Sequence, residues 1–189
     1  FLMATTQLIV RLILNRTKDV TLTMNEANRA LCDQVYSGQF VTLQVLVIDR
    51  EAGTLDVVNA GHPPPVLIAN GRATLLSTQQ QIVLGVDEDA EYTLEHFALP
   101  PECAMLLYTD GVVECRAPTG ERFSIPLLVA ALEGAPIEPT ALIERVTKIV
   151  NDFRVDEPLA DDTSAVAVHF SSIEAGGEPA PRPFVAGAV

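Results

Sequence analysis

Residues 41–109 leave this chain the fewest folding options. Short runs rich in Val, Ile, Leu and Thr follow one another there, separated by the Gly, Pro and Asn that end strands. Asn70-Gly71 lies between the runs 66–69 and 72–77. Both residues tolerate positive φ, so the pair predicts a tight two-residue hairpin. The runs 41–48 and 54–60 flank Glu51-Ala52-Gly53 and predict a second antiparallel pair. Together, 41–77 is expected to form an antiparallel meander. Residues 79–90 read as a loop around Leu84-Gly85, and 92–99 and 104–109 as a further hairpin joined through Pro100-Pro101.

Helical patterns flank this β-rich centre. In residues 1–15 the polar Gln7, Arg11 and Asn15 recur every fourth position, leaving most of the circumference apolar and predicting a largely buried helix. Thr23-Met24-Asn25-Glu26 fits a capping box that would start a second helix, with Ala27, Leu31 and Val35 on its buried face and Ser37-Gly38 at its end. Residues 124–132 predict a helix capped by Ser124, with Pro126 in its first turn. Residues 139–153 predict another, whose stripe is Leu142, Val146, Ile149, Val150 and Phe153. The segment 163–170 reads as a last strand. Beyond residue 172 Gly, Pro and Ala dominate, so 173–189 is expected to be a disordered tail. This order predicts an α+β domain over 1–172, with helices packed on antiparallel sheets.

Composition narrows the classes of partner. Against 25 Asp and Glu stand 12 Lys and Arg, a formal charge of -13. Such a surface repels nucleic acid and anionic lipid, so neither is expected as a partner. Cys32, Cys103 and Cys115 are odd in number and widely spaced, which fits reduced thiols in a cytoplasmic protein better than a disulfide framework. No run reaches the roughly 18–20 apolar residues of a membrane span, since Gln7 and Arg11 interrupt the best candidate at 1–14. The chain opens on Phe1 inside an apolar run and is expected to be part of a longer protein.

Two acidic features could carry chemistry. Leu106-Leu107-Tyr108-Thr109-Asp110-Gly111 reads as a buried strand ending on a carboxylate, with Gly111 allowing a close approach; an aspartate before glycine also serves simply to cap a turn. Asp161-Asp162-Thr163-Ser164 places two adjacent carboxylates just before the last strand, where a cation or hydrogen-bond donors would relieve their repulsion. Hard divalent ions such as Mg²⁺ or Mn²⁺ take oxygen ligands of this kind. His62, in Asn59-Ala60-Gly61-His62-Pro63-Pro64-Pro65, reads as a locally bonded turn residue rather than a general acid, and Asp87-Glu88-Asp89 as a solvated surface. No Ser or Cys nucleophile motif, phosphate-cradling loop or dinucleotide fingerprint is present.

Taken in order, Phe40-Val41-Thr42-Leu43, Asn59 to Pro65, Leu84-Gly85-Val86, Leu107 to Glu114 and Asp161 to Ser164 resemble the SpoIIE/RsbU branch of the bacterial PPM-type Ser/Thr phosphatases, which are similar to protein phosphatase 2C. The resemblance runs from about Leu2 to Phe170. It implies an antiparallel β-sandwich flanked by helices, and a centre of two Mn²⁺ or Mg²⁺ ions that activates water against phosphoserine or phosphothreonine. Carried over by motif, Asp110 and Asp161 are implied metal ligands, and Asp162 and Gly111 supporting positions or further ligands. No covalent protein nucleophile is implied.

The family pattern also has an aspartate in a Gly-Asp-Phe-Tyr-Asp-like strand and another in a Gly-Asp-Val-Ser-Gly-Lys-Gly-like turn, neither of which occurs here. The resemblance therefore implies an N-terminally truncated domain with half of its metal centre and weak Mg²⁺ binding. The implied substrate is a phosphorylated regulator of the anti-sigma-factor-antagonist type, with a STAS fold. An upstream sensory domain and a homodimer are further implied partners, the first two helices resembling the family's regulatory switch elements. The alternative is a non-catalytic regulatory or protein-binding module derived from the same fold.

Overall fold

The computed structural model describes residues 2–34, 38–76, 79, 81–155, 157 and 162–171. Its elements in chain order are α1 (Leu2–Thr17), α2 (Val20–Cys32), β1 (Leu43–Asp49), β2 (Thr54–Ala60), β3 (Val66–Ala69), β4 (Arg72–Leu75), β5 (Glu95–Ala98), β6 (Glu102–Tyr108), α3 (Asp110–Val113), α4 (Ile125–Ala131), α5 (Pro139–Arg154) and β7 (Ala165–Ser171). The fold is α+β, as expected. Every strand pairing is antiparallel. The chain forms two compact units, one on Phe1–His62 with Thr78–Leu99 and the other on Pro63–Ser77 with Pro100–Ser172.

In the first unit, the sheet has the order β1-β2-β5. Leu43, Val45, Val58 and Ala60 alternate onto one face of it, and there they join Met24, Ala27 and Leu31 of α2 in one core cluster. The β1–β2 turn is closed by Asp49, whose Oδ1 accepts from the N–H groups of Glu51 and Ala52, each at 2.9 Å. α2 starts three residues earlier than the expected capping box. Asp19 is extended and its carboxylate accepts from Leu22 N at 2.9 Å. Thr23 is buried and its hydroxyl instead donates back to the Asp19 carbonyl. The helix ends at Cys32; Val35 and Ser37 lie outside the described residues.

α1 buries one stripe, Thr6, Val10 and Leu14, rather than most of its circumference. It packs chiefly on α2, and one neighbouring helix covers only one stripe. Leu8 and Leu12 are left 57% and 61% exposed.

The second unit holds a sheet of order β4-β3-β6-β7. Asn70 and Gly71 have φ of 51° and 74°, the left-handed pair that the β3–β4 hairpin requires. Val66, Ile68, Ala104, Leu106 and Tyr108 build a core with Leu128, Leu132, Leu142, Val146 and Val150 of the helical segments. Phe123 and Phe153 add a tilted ring pair at 4.9 Å. Ser124 stands at the start of α4 without a side-chain capping bond, whereas both Glu138 oxygens cap α5.

Two expected pairings do not occur. β2 and β3 belong to different sheets, so 41–77 is not one meander, and β5 and β6 pair with β2 and β3 rather than with each other. The units divide at His62/Pro63 and at Leu99/Pro100. Proline lacks the N–H a ladder needs, so Pro63-Pro64-Pro65 and Pro100-Pro101 end one sheet and carry the chain into the other. No helix among the described residues is long and apolar enough to cross a membrane. The expected tail 173–189 lies outside the described residues.

Candidate metal centre

β6 is buried from Cys103 to its end at Tyr108; Thr109, also buried, follows as the residue before the single turn α3. Asp110 is the first residue of that turn and is exposed, its Oδ1 accepting from Gly111 N at 2.9 Å. The sequence placed this carboxylate at a strand end but did not predict the helical turn. Gly111 is buried against the segment before β7. A Cβ here would overlap the Asp162 carbonyl oxygen and stand 3.1 Å from both the Asp162 carbonyl carbon and Thr163 Oγ1. Any side chain would therefore push α3 and the 162–163 backbone apart.

The antiparallel pairing of β6 with β7 explains this proximity: the end of one lies beside the start of the other. Asp110 and Asp162, 52 positions apart in sequence, thus stand on neighbouring segments at one end of a single sheet. Asp162 is exposed. Asp161 lies outside the described residues. Thr109, for which the sequence indicates no role, belongs to the same junction. The side chain of Thr109 accepts from Ser164 N at 2.9 Å. Its only sequence signal was a hydroxyl directly before the aspartate at the end of an apolar run.

In donor type, Asp110 fits a hard divalent cation: an exposed carboxylate on rigid backbone. In number the donors fall short. Among the described residues, no group of three or more His, Cys, Asp or Glu could hold a metal ion. The described residues thus offer part of a coordination shell.

The other candidates belong to the first unit. His62 is buried in a turn: its N–H donates to Asn59 Oδ1 and its carbonyl accepts from Asn59 Nδ2, both at 2.8 Å, and Nδ1 lies 3.3 Å from Thr42 Oγ1. Gly61, at φ of 71°, lies so close to Val83 that a Cβ would meet its Cγ1 at 2.5 Å. These contacts fit a turn residue, as expected. Asp87-Glu88-Asp89 folds into a turn in which the Asp87 carboxylate accepts from Asp89 N at 3.1 Å. Asn28, completely buried, holds the same loop: Nδ2 donates to Asp87 O at 2.7 Å and Oδ1 accepts from Gly85 N at 2.9 Å.

The junction thus consists of a strand, a helical turn and a returning strand, with the exposed Asp110 carboxylate at the head of the turn. Residues 1–171 match the family model described as Stage II sporulation protein E (SpoIIE), and the chain belongs to that family. Protein IcfG of Synechocystis sp. is 29% identical over 133 residues, which is 69% of this chain and 20% of that protein. The chain thus spans about a fifth of the curated relative it matches.

Among solved structures, the RsbU and RsbW domains of Rv1364c from Mycobacterium tuberculosis match with a TM-score of 0.73 at 21% identity, over 92% of this chain and 48% of that one. The SiaA-PP2C domain of Pseudomonas aeruginosa gives 0.74 at 16%, over 88% and 68%. The manganese-presoaked phosphatase domain of SpoIIE from Bacillus subtilis gives 0.63 at 14%, over 93% and 76%. At these identities the structural matches establish the fold, which is that of PP2C-like, PPM-type phosphatase domains.

Proposed function

We propose that this chain is the C-terminal part of a metal-dependent protein Ser/Thr phosphatase domain of PPM type, with Asp110 and Asp161 as two ligands of one Mn²⁺ or Mg²⁺ ion. The observation that carries this reading is the packing of Gly111 on the Asp162 carbonyl, which sets the Asp110 turn beside the acidic segment. Asp162 and Gly111 support the pair, Gly111 by its lack of a side chain and Asp162 by its neighbouring charge. When bound, the cations offset the charge of a phosphoryl group and lower the pKa of water. The chain's own contribution is to hold the Asp110 carboxylate at a sheet end, at the head of α3, and to admit the ion there. The remaining donors would come from outside these residues, from acidic motifs like those of the family's strand and turn. A molecule of charge -13 needs such local positive charge to accept a dianionic phosphate.

For substrate, we infer a phosphorylated regulatory protein of the anti-sigma-factor-antagonist type, acted on in the cytoplasm under the control of an upstream sensory domain. Support comes from the SpoIIE family and from the RsbU-RsbW pairing named for the mycobacterial structure. The alternative is a non-catalytic regulatory or protein-binding module derived from the same fold, and the presence of both Asp110 and Asp161 in the sequence weighs against it.

The test is Mn²⁺-dependent hydrolysis of a phosphoserine protein by the longer protein that includes the upstream motifs. Asp110→Asn and Asp161→Asn should each reduce the rate by roughly 10²-fold or more, since each removes ligand charge from the ion that stabilises the transition state. Full activity in either variant rejects the ligand assignment, and a longer protein without any metal-dependent turnover supports the module.

A further inference from the structure

The β6–β7 ladder runs from Glu102 opposite Ser171 to Tyr108 opposite Ala165, so the next pair would be Thr109 and Ser164. Partners at such a position ordinarily exchange two backbone hydrogen bonds. One of them is made, Thr109 N donating to Ser164 O at 3.0 Å. The other is replaced. The Thr109 carbonyl accepts instead from Val112 N at 3.1 Å, which is the first turn of α3. Ser164 N donates to Thr109 Oγ1 at 2.9 Å. The hydroxyl thus takes the acceptor place that the carbonyl has left, and the backbone changes from strand to helix at one residue while β7 keeps its register. Asp110, the next residue, is thereby fixed at the head of α3 beside Asp162.

We propose that Thr109 is the positioning residue of this site: its hydroxyl sets the spacing between the Asp110 carboxylate and the backbone of Asp162, and through it the affinity for the cation. The proposal rests on the reading of Asp110 and Asp161 as ligands. Thr109 itself needs no contact with the ion. Valine matches threonine in shape but offers no acceptor, leaving Ser164 N without its partner, whereas serine retains the acceptor. Partners that orient metal ligands typically contribute about 10- to 100-fold to affinity.

The experiment is a titration of the full 189-residue chain with Mn²⁺ alone, followed by paramagnetic broadening of backbone amide signals, which reports weak binding. In the wild type, Gly111 and residues 162–164 should broaden together. Thr109→Val and Thr109→Ala should need at least about tenfold more Mn²⁺ for the same broadening, and Thr109→Ser should restore the wild-type response. Undisturbed β6 and β7 amide signals show which of the two acceptor-free variants is folded, and one suffices. Equal responses from a folded acceptor-free variant and the wild type overturn the positioning role and leave the ligand assignment standing. A wild type without selective broadening, indistinguishable from Asp110→Asn, overturns the ligand assignment and the positioning role with it.

Discussion

Single residues in this chain sit under constraints that their type alone does not reveal. Gly111 followed an aspartate and read equally as a turn former; its packing on Asp162 gives the tighter reason for glycine there. Tyr108 presents the opposite case. It is fully buried, and among the described residues its hydroxyl has no hydrogen-bond partner. Burial alone raises its pKa. A buried hydroxyl without a partner is a desolvation cost that a phenyl ring avoids. Tyr108→Phe is therefore expected to leave stability unchanged or to raise it by about 1 kcal/mol in urea unfolding. A loss of that size would reveal a partner for the hydroxyl in solution.

At the scale of elements, α2 and the loop that ends at Tyr92 depend on each other. Asn28 binds Asp87 and Gly85, and Asn25 Oδ1 accepts from Tyr92 N at 2.9 Å, so two side chains three positions apart on one helix hold a segment with little regular structure. Leu84, completely buried, ties the same loop to Val41 through two backbone bonds of 3.0 and 2.8 Å. Asn28→Ala would leave Gly85 N and the Asp87 carbonyl without the partner they have in the helix, at about 1–3 kcal/mol for each group that water cannot reach. We expect a drop of about 2 kcal/mol or more in urea unfolding, with faster hydrogen exchange at Gly85 N. Nothing in the sequence singled out Asn28, because its partners lie 57 and 59 residues away. The elements themselves were readable: β2 occupies the expected 54–60, and the Asn70-Gly71 hairpin forms as its turn chemistry requires. The start of α2 was misplaced because Asp19, a stronger cap, stands in front of a β-branched residue that looked unlike a helix start.

For the whole molecule, buried acids set how stability varies with pH. Burial, aided by the charge of Glu102, pushes the Cys103 thiol from 9.0 up to about 11. Burial, aided by Cys32 and Asp87, pushes Tyr92 from 10.0 up to about 12. Both groups hold their protons longer in the folded chain than in the unfolded one. Their contribution is complete below pH 9.0 and is lost as the pH rises through about 12. The urea midpoint should accordingly fall across that window, and Cys103→Ala, though less stable at neutral pH, should decline less steeply between 9.0 and about 11. An equal slope in both proteins would count against Cys103 as a source.

Turn chemistry, periodicity and composition act over a few residues, and on their own they determined the α+β class, most strands and helices, the acidic character and the two carboxylate motifs. Strand order was decided only in the tertiary structure. Which strands pair depends on which apolar faces bury together, and that choice links residues far apart in sequence, such as Leu106 with Val66 and with Ala167. So the two proline runs, read as bends within one sheet, became the points where the chain leaves one sheet for another. The meeting of Gly111 with Asp162 follows from the same pairing, and with it the reason why Asp110 and the second acidic segment lie side by side.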